Sequence, residues 1–124
     1  MPVRALRGAV QLEHDDRDHL VDSVQELFQR MLSANGLDSE DLISVILTAT
    51  PDLVSEFPAK ALRQLGLDDV PLMCAQELDV DGAMPRVVRI LAHAETPLPR
   101  SELQHVYLGG AAKLRADIAV SSRR

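Results

Sequence analysis

The sequence predicts an α+β fold, a mixed five-stranded sheet with one long helix and one short one. Three observations predict it. The stretch "LVDSVQELFQRML" (20–32) repeats apolar residues at helical spacing. The runs "ISVILTAT", "VPLMCAQE" and "RVVRILAHAE" are short and aliphatic, as strands are. Proline, glycine and aspartate clusters separate these runs, where turns are needed.

The elements follow in order. Residues 3–12, "VRALRGAVQL", read as a first strand. A helix over about 16–34 comes next, with Leu20, Val21, Val24, Leu27, Phe28, Met31 and Leu32 on one stripe. Asp15 and Asp16 supply a cap at its start, and Asn35-Gly36 closes its end. "Ser39-Glu40-Asp41" reads as a capped turn before a strand at 43–50, which Pro51-Asp52 ends. A shorter helix begins at Pro58, a good first-turn residue, and stops at Gly66. Strands at 70–77 and 86–95 flank an irregular turn around Gly82. A short strand at 105–108 precedes the loose "GGAAKLRADIAV" and the tail "SSRR".

The strands then raise a packing problem. Ile43, Val45 and Leu47 line one face of their strand while Ile46 lies on the other, and Val87 and Leu91 oppose Val88, Ile90 and Ala92. A sheet apolar on both faces needs cover on both, and one long helix covers one. The remaining surface calls for a second copy or a partner, so packing alone predicts a homo-oligomer.

Composition narrows the class. At 124 residues the chain is sized for one domain, and two Phe, one Tyr and no Trp make its core aliphatic. A net charge of −6 speaks against nucleic-acid binding. No apolar run approaches the roughly 20 residues of a membrane span, and the first residues lack the hydrophobic stretch of a secretory signal. The lone Cys74 cannot form an internal disulfide, which fits a reducing, cytoplasmic setting.

Classical catalytic motifs are missing. His14, His19, His93 and His105 show no metal-ligand spacing, Cys74 has no neighbouring histidine in sequence, and there is no phosphate-binding loop or nucleophile elbow. Neither metal nor cofactor is expected. What stands out is arginine inside strands: Arg7 between Leu6 and Gly8, and Arg89 between Val88 and Ile90. A guanidinium in an apolar strand is costly unless an anion meets it. That anion is either a structural acid or a ligand. With Glu77 at one strand end and Tyr107 in the last strand, the pattern points to a pocket for a small carboxylate, without an evident nucleophile or general base.

The motifs "RGA" (7–9), "TATPDL" (48–53), "FPAKALR" (57–63), "VPLMCAQELDV" (70–80), "RVVRILAH" (86–93) and "HVYLGGAAKLR" (105–115) occur in the order of one family. Over about residues 2–118 the chain resembles the monofunctional, trimeric, α+β class of chorismate mutase, a relative of ferredoxin-like folds. The resemblance implies one domain over 1–118 with a mobile tail at 119–124. It implies a homotrimer with a central pseudo-barrel and active sites between subunits. It also implies rearrangement of chorismate to prephenate, on the route to phenylalanine and tyrosine. That reaction is a concerted [3,3] shift, which needs no proton transfer or covalent intermediate. By the same resemblance Arg89 points at the ether oxygen, Arg7 and Tyr107 bind the side-chain carboxylate, and Glu77 meets the ring hydroxyl, with Cys74 beside it. Phe57, Ala59, Lys60, Met73 and Leu114 line the walls, while Arg63 and Arg115 stand near the mouth. The Phe57–Cys74 wall comes from one subunit, and Arg7, Glu77, Arg89 and Tyr107 from its neighbour.

The chain departs from that pattern at three places. Met73 stands where a smaller polar residue is often found, "LRADI" lacks a frequent proline after the arginine, and "LGG" after Tyr107 is more flexible than usual. Two other readings stay open: a trimeric imine-deaminase-like hydrolase, and a non-catalytic module that binds small carboxylates. An Arg89 locked to an internal acid, or opening onto no cavity, would overturn the mutase role.

Overall fold

The computed structural model describes residues 1–114 of the chain. Strand β1 (Val3–Gln11) leads into helix α1 (Arg17–Ala34), and β2 (Leu42–Ala49) follows. Helix α2 (Pro58–Arg63), β3 (Leu72–Gln76), β4 (Val87–Glu95) and β5 (Val106–Leu108) complete the regular elements. The sheet order is β3-β2-β4-β1-β5. β4 lies antiparallel between β2 and β1, whereas β3 and β5 pair in parallel at the two edges. The mixed five-stranded α+β sheet is thus as the sequence predicts. Strand ends differ by a residue or two: the third strand is shorter than 70–77, which leaves Glu77 just beyond it.

Helix α1 forms where the apolar stripe demands it. Leu20, Val21, Val24, Leu27, Phe28 and Met31 are buried against the sheet, and Leu6, Val10, Val45, Leu47, Val88, Ile90 and Ala92 meet them in one core. Asp16 caps the start by accepting the His19 N–H at 3.0 Å. Asp15 has a different task from capping: its carboxylate accepts the N–H groups of Val54 and Ser55. At the far end Asn35 is buried, and its side chain does more than stop the helix. Nδ2 donates to the carbonyls of Met31 and Gln104, and Oδ1 accepts the Gln104 N–H at 2.8 Å. The chain entering β5 is therefore fastened to the end of α1.

Gly8 decides which way β1 faces. A Cβ at this position would lie 2.4 Å from Met31 Sδ and 3.1 Å from Leu27 Cδ1, closer than packed atoms tolerate. The bare backbone lets α1 settle on the strand, and alternation then turns Arg7 and Ala9 to the opposite face. Helix α2 joins α1 on the helical side, where Ala59, Ala61 and Leu62 enter the same core.

The second face is only partly covered. Ala9, Val87, Tyr107 and Ala111 form a small cluster at one end, with Met84 and Leu114 packed on it. Elsewhere Ile46, Thr48, Leu91 and His93 are half-buried, while Ala5 and Arg7 are exposed. Both helices lie on the helical face, so the second face carries the deficit of cover that the strand patterns imply.

Two expectations need correction. "GGAAKL" is not loose: Gly109–Ala111 form a 3-10 turn, and the chain turns helical again at 112–114. Gly109 is required there, since it adopts φ +60° and a Cβ would sit 2.8 Å from the Gln11 carbonyl oxygen. Arg89 is not sealed in an apolar strand either; its side chain keeps 39% of its accessible surface, because the neighbouring face is open.

Candidate active site

Strand register gathers the polar residues. In β4, Arg89 stands opposite Ala9 of β1 on one side and Thr48 of β2 on the other. In β5, Tyr107 also stands opposite Ala9. Arg7 is two residues along β1 on the same face. A cavity of about 350 Å³ opens between them, lined by Arg7, Thr48, Arg89, Tyr107 and Leu114 with Ile46 and Leu91. That volume suits a small ligand.

The start of β4 is held firmly, which fixes where Arg89 falls. Asp52 accepts the Arg86 N–H at 3.0 Å and the Thr50 hydroxyl at 2.5 Å. Thr50 Oγ1 in turn accepts the Val87 N–H. The "TATPD" segment thereby locks the strand's first residues.

Glu77 sits immediately beyond β3, its N–H donating to the Ala49 carbonyl. Its carboxylate accepts twice from residues that line the cavity. Oε2 takes the Thr48 hydroxyl at 2.6 Å, and Oε1 takes an N–H from Arg89 Nη1. Glu77 is only 14% exposed at its side chain, so its carboxylate is shielded from water while Arg89 keeps an open side. Arg89 does hold an internal acid, and it also opens onto a cavity. Glu77 engages Nη1, whereas a guanidinium carries five N–H donors in a fixed fork. The acid is therefore a partner that aims the guanidinium, and the half-exposed remainder faces the hollow.

Arg7 has a neighbour that the sequence did not single out. His105 Nδ1 accepts the Arg7 backbone N–H at 3.0 Å, so the imidazole carries its proton on the other nitrogen. Burial first, and the nearby Arg7 charge second, hold the His105 pKa below its ordinary value.

The other residues named from sequence lie elsewhere. Phe57 and Cys74 border a separate hollow of about 440 Å³ beside α2, with no lining residue in common with the first. Phe57 is 71% exposed, and Met73, on the open face of β3, is 57% exposed. Ala59 is buried and donates its N–H to Cys74 Sγ at 3.3 Å. Lys60 pairs with Glu56 at 3.5 Å, four residues back, and Glu56 also meets Arg17 at 3.4 Å. Arg63 is exposed at the end of α2. Arg115 and the tail at 119–124 lie outside the described residues. Within one protomer, then, the structure unites Arg7, Glu77, Arg89, Tyr107 and Leu114 and keeps the Phe57–Cys74 group apart from them.

Sequence reasoning missed Thr48, His105 and Glu56. The i,i+4 spacing of Glu56 and Lys60 was a usable signal. Thr48 and His105 become legible only through strand register. Among the described residues, no group of three or more His, Cys, Asp or Glu is placed to hold a metal ion, and no helix is long and apolar enough to cross a membrane.

Fold and site together define an α+β protein that places two guanidinium groups and a phenol-bearing strand on one small cavity, with a carboxylate bonded to one of the guanidinium groups. The chorismate mutase type I family model matches residues 3–118. Chorismate mutase AroH of Thermus thermophilus is 46% identical over 117 residues, covering 94% of this chain and 96% of that protein. Its Bacillus subtilis (strain 168) counterpart is 35% identical over 122 residues, covering 98% and 96%. The solved chorismate mutase from Clostridium thermocellum superposes with a TM-score of 0.87 at 38% identity, covering 89% of this chain and 98% of that one. The chain belongs to the chorismate mutase type I family, whose members are isomerases.

Proposed function

We propose that this protein works as a chorismate mutase through preorganised electrostatics, with Arg89 as its central catalytic group. Chorismate carries two carboxylates, a ring hydroxyl and an enolpyruvyl ether. The reaction breaks the ether C–O bond as a C–C bond forms, within one molecule. No proton moves, so no general base is required. Catalysis then rests on holding the side chain over the ring and on meeting charge as it grows on the ether oxygen.

Each residue has a role in this reading. Arg89 donates to the ether oxygen from the part of its fork beyond Glu77. Arg7 and Tyr107 receive the side-chain carboxylate, and Glu77 accepts from the ring hydroxyl. Leu114 closes the wall. The observation that carries the proposal is Arg89 itself, aimed by Glu77 and opening on a cavity shared with Arg7.

Two neighbouring copies complete each site. Phe57, Ala59, Lys60, Met73 and Cys74 supply the facing wall from a neighbouring subunit, with Arg63 near the mouth. A homotrimer with a central pseudo-barrel would cover the open sheet face as well. The separation of the two hollows in one protomer supports this arrangement, since each is lined by only part of the residues assigned to the site. The setting is cytoplasmic.

Chorismate turnover by the purified protein, followed beside its mass in solution, tests the proposal. Prephenate formation by a trimer is the expected result. Imine hydrolysis without chorismate turnover, or binding of chorismate without conversion, would overturn it.

A further inference from the structure

We infer that Thr48 is a positioning residue for Glu77, and that its hydroxyl keeps that carboxylate from closing over the whole Arg89 fork. The inference rests on the reading of Glu77 and Arg89 given above and deepens it. Thr48 lies beside Arg89 in the β2–β4 register and beside Ala75 in the β2–β3 register. It therefore stands between the strand that carries Arg89 and the strand end that carries Glu77. Its Oγ1 donates to Glu77 Oε2 at 2.6 Å, the short range of a hydroxyl bound to a charged acceptor.

The geometry divides the carboxylate between two donors. One oxygen goes to Thr48 and the other to Arg89 Nη1. A carboxylate offered only a guanidinium turns to face it with both oxygens, in the bidentate fork that such pairs favour. That turn would occupy donors the proposed chemistry assigns to the ether oxygen. Thr48 prevents it by tying one oxygen down. The tie is stiff, because a β-branched side chain in a strand has few χ1 choices. Each carboxylate oxygen still has lone-pair capacity for a substrate hydroxyl. Thr48 itself lines the cavity, so its removal is felt where the substrate sits.

The test uses the full chain in five variants. Thr48→Val keeps the shape and removes the hydroxyl; Thr48→Ala does the same with less bulk, should the valine perturb folding. We expect either to lower kcat on the order of 10-fold to 100-fold, the scale of one hydrogen bond to a charged group, with a smaller change in KM. Thr48→Ser returns most of that loss, because it restores the donor. Placed on Glu77→Ala, Thr48→Val costs nothing further. Glu77→Ala impaired while Thr48→Val and Thr48→Ala run at the parent rate would overturn the inference and leave the Glu77 reading standing. A full extra loss in the double variant would also overturn it, since the hydroxyl would then act without Glu77. Glu77→Ala at the parent rate would instead overturn the reading beneath it.

Discussion

The Arg7 backbone N–H donates to His105 Nδ1 at 3.0 Å, which joins an expected substrate-binding residue of β1 to the chain entering β5. Only neutral imidazole can accept that bond. Arg7 lies against the ring, and Arg4, His93 and Arg100 share the hollow around it. Among the described residues no acid lines that hollow, so the surroundings favour the neutral form.

Stability follows from that with a definite sign. The folded pKa of His105 lies below its unfolded value of about 6.5, so the unfolded chain binds the proton first. The contribution is fully present above about 6.5 and disappears as pH falls through the lower folded value. His105→Asn keeps an acceptor and does not titrate. We expect the stability gap between parent and variant to change over that window in urea unfolding. A gap independent of pH would show that His105 does not titrate in this way.

Gly8 and Met31 set the seat of α1 on β1. A methyl at Gly8 has to displace Met31 Sδ, 2.4 Å from the ideal Cβ position, and Leu27 behind it. Methionine is flexible and can yield in part. Gly8→Ala should cost about 1–3 kcal/mol, the range for overpacking a filled core. The denaturation midpoint at constant slope measures it, and an unshifted midpoint would mean that α1 has slack here.

Much of this molecule was legible in its sequence because the signals were local. The α1 stripe, the Asp16 cap, the Asn35-Gly36 stop and Pro58 at the start of α2 are decided by nearby residues. Arg7 and Arg89 stood out because a charge interrupted an aliphatic run. What escaped was set by pairing across the sheet. Thr48 reads as an ordinary strand threonine until the register puts it next to Arg89. Asp15 reads as a helix cap until the 54–55 loop arrives above it. Arg89 looked more deeply buried than it is, since the cover of the second face depends on how chain segments assemble.

Arg89→Ala should lower kcat by at least about 10²–10³-fold, the scale of losing one preorganised donor at a developing oxyanion. It also strips the half-buried Glu77 of its cationic partner, so stability has to be measured alongside. Arg89→Lys separates the two effects. A lysine restores a charge for Glu77 without the planar fork, so it should recover stability better than rate. Equal recovery of both would point to charge alone as the requirement.

Salt offers the last check, because the charge of the whole molecule opposes its proposed substrate. The chain carries −6, yet chorismate is a dianion. Attraction must therefore come from the local field of Arg7 and Arg89 at the cavity, where the shielded Glu77 already offsets part of one charge. Exposed Arg7 feels added salt most, since screening falls to about 10 Å at 0.1 M ionic strength. Raising sodium chloride should depress kcat/KM while kcat changes less, because the bound substrate displaces the screening ions. Arg7→Ala should raise KM and flatten that salt dependence. If kcat/KM in the parent were insensitive to salt, capture of the dianion would not depend on these two guanidinium groups.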